Sequence, residues 1–158
     1  MARKKKTWRN PYRDYQRGVF FITVVTEPRR SCFGTIEKGQ LNSTPLGALV
    51  EAAIERLGQR CDVRMVASQV MPDHAHFMPA LNGEGPALGT IMRSFKGGCT
   101  GDARLLRLLG PRQQLWQANY HDWCMISRAS IERGKRYIQL NPQRWEAAQR
   151  EREWWRRF

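Results

Sequence analysis

Apolar positions change their period several times along the chain, and each change marks an element. "GVFFITVVT" (18–26) is apolar at nearly every position and rich in β-branched side chains, which predicts a central strand covered on both faces. "FGTIEKGQLN" (33–42) reads as a small hairpin turning at Lys38-Gly39. From Thr44 the period lengthens: Leu46, Leu49, Val50, Ala53, Ile54 and Leu57 recur at helical spacing, behind a capping Thr44 and Pro45 at the first helical position. "CDVRMVASQVM" (61–71) and "HAHFMPAL" (74–81) return to strand character, with Pro72-Asp73 as a tight connection, so these strands are expected to lie antiparallel.

"PALGTIMRSFKGGCTGDARLLRLLG" (86–110) is helical at both ends but contains Gly97, Gly98 and Gly101, which predicts a break. "ANYHDWCMI" (118–126) is a further strand, and "SIERGKRYIQLNP" (130–142) a helix capped by Ser130 that weakens at Pro142. The order strand, helix, strand, strand, helix, strand, then one more helix fits an α+β fold of the ferredoxin-like βαββαβ type. In that fold an antiparallel sheet carries helices on one face, here with a late tyrosine-bearing helix and a basic tail. The expected division is an arm over 1–17, one domain over 18–142, and a basic, tryptophan-rich extension over 143–158 that reads as a helix or a partly ordered tail. No Gly-rich loop ends in Lys-Ser or Lys-Thr, so nucleotide hydrolysis has no visible site.

Charge adds a partner to this outline. Lys and Arg number 27 against 14 Asp and Glu, a formal charge of +13, and residues 1–17 carry seven basic groups and one acid. Arg3, Lys4, Lys5 and Lys6 in the arm, and Arg144 beside Trp145 near the end, interleave cations with aromatic rings, a composition suited to phosphates and unstacked bases. Lys96 in "SFKGG" is a further candidate for phosphate contact, whereas Trp116 is expected to pack. The four cysteines stand far apart with no Cys-x-x-Cys pair, which reads as reduced thiols. The apolar run after the arm is too short to span a bilayer and lacks a cleavage-site pattern, so a cytoplasmic protein with no membrane partner is expected.

The chemistry concentrates in "MPDHAHFM" (71–78). Side chains alternate along a strand, so His74 and His76 share one face and form a two-pronged ligand, while Ala75 points oppositely. Asp73 is expected to point away from the pair and is not read as a ligand. Tyr137 and Asn141, four residues apart, share a helix face. Two neutral imidazoles and an amide oxygen can hold a divalent ion that polarises a phosphodiester, and a nearby phenol can attack phosphorus.

In their order these segments resemble the HUH single-strand endonucleases, and within them the REP-associated group of single-tyrosine transposases. The resemblance runs from about Gly18 to Trp145 and rests on "FFITVVT" with "CFGTIEKGQLN", on "VMPDHAHFM" as the Met-Pro-x-His-hydrophobic-His signature, and on "SFK", "LWQANYHDWCMI" and "RYIQLNPQRW". It implies that His74 and His76 bind Mg²⁺ or Mn²⁺, that Asn141 is a possible third ligand, and that Tyr137 is the nucleophile. It further implies single-stranded or hairpin DNA as substrate, with a 5′-phosphotyrosine intermediate and a free 3′-hydroxyl. His121 is a candidate for approaching the DNA or orienting the site, and equally for a structural role. Monomer and homodimer both stay open. Two other classes compete: a domesticated DNA-binding protein that does not cut, and a histidine-triad nucleotide hydrolase, which loses its third histidine to Met78.

Overall fold

The computed structural model describes residues 13–156. Its core is a four-stranded sheet built from β1 (Arg17–Val25), β4 (Val63–Val70), β5 (His74–Asn82) and β6 (His121–Met125), in the order β4-β5-β1-β6. All three pairings are antiparallel. A separate hairpin of β2 (Gly34–Glu37) and β3 (Gln40–Ser43) follows β1, and its two turn residues, Lys38 and Gly39, both take positive φ, as a tight primed turn requires.

Two helices, α1 (Pro45–Gly58) and α2 (Leu88–Leu105), cover one face of the sheet. Phe20, Ile22 and Val24 of β1 and Ala75, Phe77 and Leu81 of β5 are buried there with Val50, Ile54 and Leu57 of α1 and Ile91, Met92 and Phe95 of α2. The Phe77 and Phe95 rings meet at 5.2 Å. Each of these side chains larger than alanine contributes about 1.5–3 kcal/mol of burial, so this layer holds the β5 register that directs the histidines to the opposite face. Thr44 caps α1 by accepting from the Gly47 N–H, and Pro45 opens the helix, as the sequence predicts.

Two expectations are corrected. The segment 88–105 is one unbroken helix despite Gly97, Gly98 and Gly101. Leu88, Ile91, Met92, Phe95, Cys99 and Ala103 form a continuous buried stripe at helical spacing, and this burial exceeds a propensity cost of about 1 kcal/mol per glycine. The last helix, α3 (Arg128–Trp155), neither starts at Ser130 nor weakens at Pro142. Ser127 is its N-cap and Ser130 the reciprocal partner in a capping box, while residues 143–155 of the expected extension continue the same helix past Pro142.

The late helix α3 packs on the sheet face opposite α1 and α2. Gly134 permits the approach, since a Cβ there would lie 3.0 Å from the Met78 sulfur and 3.4 Å from the Phe21 ring. Further along, the Glu146 carboxylate accepts from the backbone N–H groups of Lys38 and Gly39 at 3.3 and 2.9 Å, which ties α3 to the hairpin turn. Among the described residues no helix is long and apolar enough to cross a membrane.

Candidate functional site

The pleat of β5 turns His74 and His76 to the α3 side while Ala75 and Phe77 enter the core. Both imidazoles are buried, at 8% and 6% exposure. Each is oriented through its Nδ1. His74 Nδ1 lies 2.5 Å from the Asp73 carboxylate, and His76 Nδ1 lies 2.9 Å from the hydroxyl of Thr23, its cross-strand neighbour on β1. Asp73 is itself held by Arg29 Nε at 2.6 Å. These contacts direct the two Nε2 atoms at one another, 3.1 Å apart.

From above, α3 presents Tyr137, Asn141 and Trp145 at four-residue intervals along the histidine pair. The Tyr137 ring lies 5.5 Å from the His76 ring and 5.8 Å from Phe21, and Trp145 lies 5.9 Å from His74. Asn141 is buried one turn from each. Tyr137 keeps 43% of its surface open to solvent, so the phenol is accessible while the imidazoles are not. The Arg144 guanidinium stands 5.5 Å from the Tyr137 ring centroid, a cation–π distance.

Electrostatics keep the pair uncharged enough that it could accept a cation. Burial, with the neighbouring His74 adding to it, pushes the His76 pKa down to about 3, so this imidazole is neutral at ordinary pH. Burial alone would raise the Asp73 carboxyl, but hydrogen bonds from His74 and Arg29 outweigh it and hold the group below its usual range. An ionised Asp73 accepts a hydrogen bond from His74 Nδ1–H, which leaves His74 Nε2 with a free lone pair. When Thr23 Oγ1 accepts from His76 Nδ1–H, a second lone pair faces the first, and a cation between them removes the repulsion. In the other tautomer His76 Nε2–H donates to His74 and the pair is satisfied internally. At an Nε2 separation of 3.1 Å both imidazoles could hold one ion. Among the described residues no three His, Cys, Asp or Glu side chains form a cluster that could hold a metal ion, and Asn141 is a buried amide on the helix above the two imidazoles.

The sequence-derived candidates fall into four groups. His74, His76 and Tyr137 come together, with Arg144 over the Tyr137 ring and Asn141 buried one turn along α3 from Tyr137. His121 opens β6 and is exposed; it pairs with Thr23, which pairs with His76, so it lies on the same sheet face two strands away. Lys96 faces inward: its ammonium donates to the carbonyls of Gln117 and Ala118 at 2.5 and 3.0 Å, and burial lowers its pKa. Arg3, Lys4, Lys5 and Lys6 lie outside the described residues. Trp116 packs between Phe33 and Phe95, as expected. Sequence reading missed Thr23 and Arg29, which reach the histidines only through cross-strand and loop contacts, and it gave Asp73 no part. Asp73 precedes the strand, so strand alternation does not govern it, and its carboxylate turns toward His74 Nδ1 rather than toward the Nε2 pair.

No family model matches the chain. An uncharacterized protein of Haemophilus influenzae is 27% identical over 154 residues, covering 84% of each chain. Among solved structures, a REP-associated tyrosine transposase bound to a REP hairpin superposes with a TM-score of 0.66 at 20% identity, over 89% of this chain and 74% of that one. A "putative transposase" of Deinococcus radiodurans superposes with a TM-score of 0.54 at 14% identity, over 87% of this chain and 96% of that one. The chain, with its four-stranded antiparallel sheet, two helices on one face and a late helix over the histidine strand, therefore has the fold of these transposases.

Proposed function

We propose that the protein is a metal-dependent endonuclease and strand transferase that acts on single-stranded, hairpin-containing DNA through a 5′-phosphotyrosine intermediate, as a transposase of the single-tyrosine HUH type. One observation carries this reading. A solvent-accessible phenol, Tyr137, lies against a buried, neutral histidine whose Nε2 meets that of a second histidine at 3.1 Å. The neighbour that holds a REP hairpin supports hairpin DNA as the partner.

His74 and His76, joined by Asn141, would hold Mg²⁺ or Mn²⁺, and a bound ion would supply Lewis-acid polarisation of the scissile phosphate. Asp73 selects the His74 tautomer that keeps its Nε2 available, and Thr23, when it accepts from His76 Nδ1–H, does the same for His76. The Tyr137 Oη attacks phosphorus as the bond from phosphorus to the 3′-oxygen breaks. The phenol gives up one proton and the departing 3′-oxygen gains one, so the step is proton-neutral. Arg144 provides positive charge beside the phenol as it becomes an ester. Attack of a 3′-hydroxyl on the phosphotyrosine reverses the chemistry and rejoins a strand, so no nucleotide hydrolysis is required.

The test is incubation of the full chain with Mn²⁺ and labelled hairpins carrying randomised single-stranded flanks, followed by denaturing electrophoresis. A covalent protein–DNA band that disappears with EDTA is expected. Retention of the hairpins under native conditions with no covalent band at any Mn²⁺ concentration makes the protein a non-cleaving binder instead.

A further inference from the structure

The edge strand β6 carries a large aromatic side chain that the catalytic reading leaves unused. Trp123 is 73% exposed. It pairs directly with Phe21 of β1, and paired residues of an antiparallel ladder project from the same face. Phe21 is 5.3 Å from the His76 ring and 5.8 Å from the Tyr137 ring, so Trp123 stands on the site face, one strand beyond the ring cluster. On the same strand His121 projects to that face as well, in the row His121–Thr23–His76. Asp122 alternates to the other face, opposite Ile22, so the acid of this strand is directed away.

Covering the sheet here is no task of α3. Gly134 and Tyr137 bring that helix down onto Met78, Phe21 and His76, and Trp123 stays open beside it. At a strand spacing of about 4.8 Å, the β6 side chains lie about 10 Å from the histidine strand, within reach of a nucleotide next to one whose phosphate is at Tyr137. Cations lie on the next element: exposed Arg128 opens α3 just after β6, and further along that helix Arg133, Lys135 and Arg136 line one depression with Glu132, which pairs with Lys135. An exposed indole on a protein of charge +13 matches the two parts of a single-strand platform, a ring for the base and charges for the backbone.

We infer that Trp123 is a stacking platform for an unpaired nucleobase of single-stranded DNA, and that it sets the path of the strand across β6 toward Tyr137. This rests on the proposed function for its substrate class but not for its chemistry, so the test is made without catalysis. In EDTA, the anisotropy of a fluorescein-labelled twelve-residue oligo(dT) is compared with that of an abasic strand of equal length and phosphate number. The wild-type chain should bind oligo(dT) more tightly than the abasic strand. Trp123→Ala should weaken oligo(dT) binding about fivefold to fiftyfold while changing abasic binding less than about twofold, and Trp123→Phe should restore most of the difference.

Equal losses on both strands, or none on either, would overturn the platform. So would a change of sedimentation coefficient in Trp123→Ala at unchanged oligo(dT) affinity, which would assign this face to a second copy of the chain. Base-dependent binding through Trp123 in a protein that forms no covalent adduct would uphold the platform and reject the nuclease, so the two proposals fail separately.

Discussion

At His76 the consequences of a single register are most visible. Pairing with Thr23 supplies the hydroxyl at its Nδ1, and burial beneath α3 keeps the ring neutral. Alternation along "HAHF" was enough to read the shared face of the two histidines, because a period of two is a property of the local backbone. Their outer partners were not readable, since Thr23 lies 53 residues away and Arg29 reaches Asp73 across 44. Both kinds of residue carry a prediction. His74→Ala or His76→Ala should reduce Mn²⁺-dependent cleavage at least about a hundredfold while leaving DNA affinity within about threefold, because the ion would act on one phosphate rather than on the interface. Asp73→Asn should be milder and of a different kind. It should raise the Mn²⁺ concentration for half-maximal cleavage about 10- to 100-fold, with recovery at high metal, as expected when an outer hydrogen bond to a ligand is weakened. Unchanged Mn²⁺ dependence in Asp73→Asn would remove it from the site's support.

Elements behave here as packing, more than propensity, dictates. Gly97, Gly98 and Gly101 suggested a break in α2, yet added Cβ atoms at these positions would meet nothing within 4 Å. The stripe from Leu88 to Ala103 holds the helix, and a sequence alone does not show which stripe finds a partner. Gly97→Ala and Gly98→Ala should therefore stabilise the fold by about 0.5–1 kcal/mol each in urea titrations. Gly47→Ala should do the opposite, since its Cβ would fall 2.0 Å from the Phe33 carbonyl oxygen. A loss of about 1–3 kcal/mol is expected. The late helix shows the same rule. Pro142 lies inside it, yet the helix continues, and one turn on, its Glu146 carboxylate accepts from the backbone of the hairpin turn. Gly134, one turn before Tyr137, sets how closely α3 meets the sheet. Gly134→Leu should lower cleavage about a hundredfold by displacing the phenol, with smaller effects on single-strand binding and on thermal stability. Equal loss of stability and cleavage would show a folding defect instead.

Across the whole molecule, the sequence order of strands and helices was legible because the period changes cleanly between segments, and the sheet order β4-β5-β1-β6 completes the ferredoxin-like arrangement. Less legible was the covering of the second sheet face by α3, which depends on Gly134, Met78 and Phe21 meeting across 113 residues of chain. The charge of +13 predicts binding that falls steeply with salt. Removing residues 1–12 takes away five cations, and each one that contacts a phosphate is worth about 0.7 in the slope of log K against log salt for single strands. The truncated chain should show a shallower slope and weaker binding, with its circular dichroism unchanged; an identical slope would exclude the arm from the interface. The central claim, that Tyr137 becomes covalently joined to DNA, has a direct measurement. Wild-type protein is reacted with hairpin DNA and Mn²⁺, digested with protease and nuclease, and its modified peptide is sequenced by mass spectrometry. The account predicts a nucleotide on Tyr137 through its 5′-phosphate, and neither adduct nor nick from Tyr137→Phe under the same conditions. Attachment at another residue such as Tyr120, or cleavage by Tyr137→Phe at the wild-type rate, would contradict it.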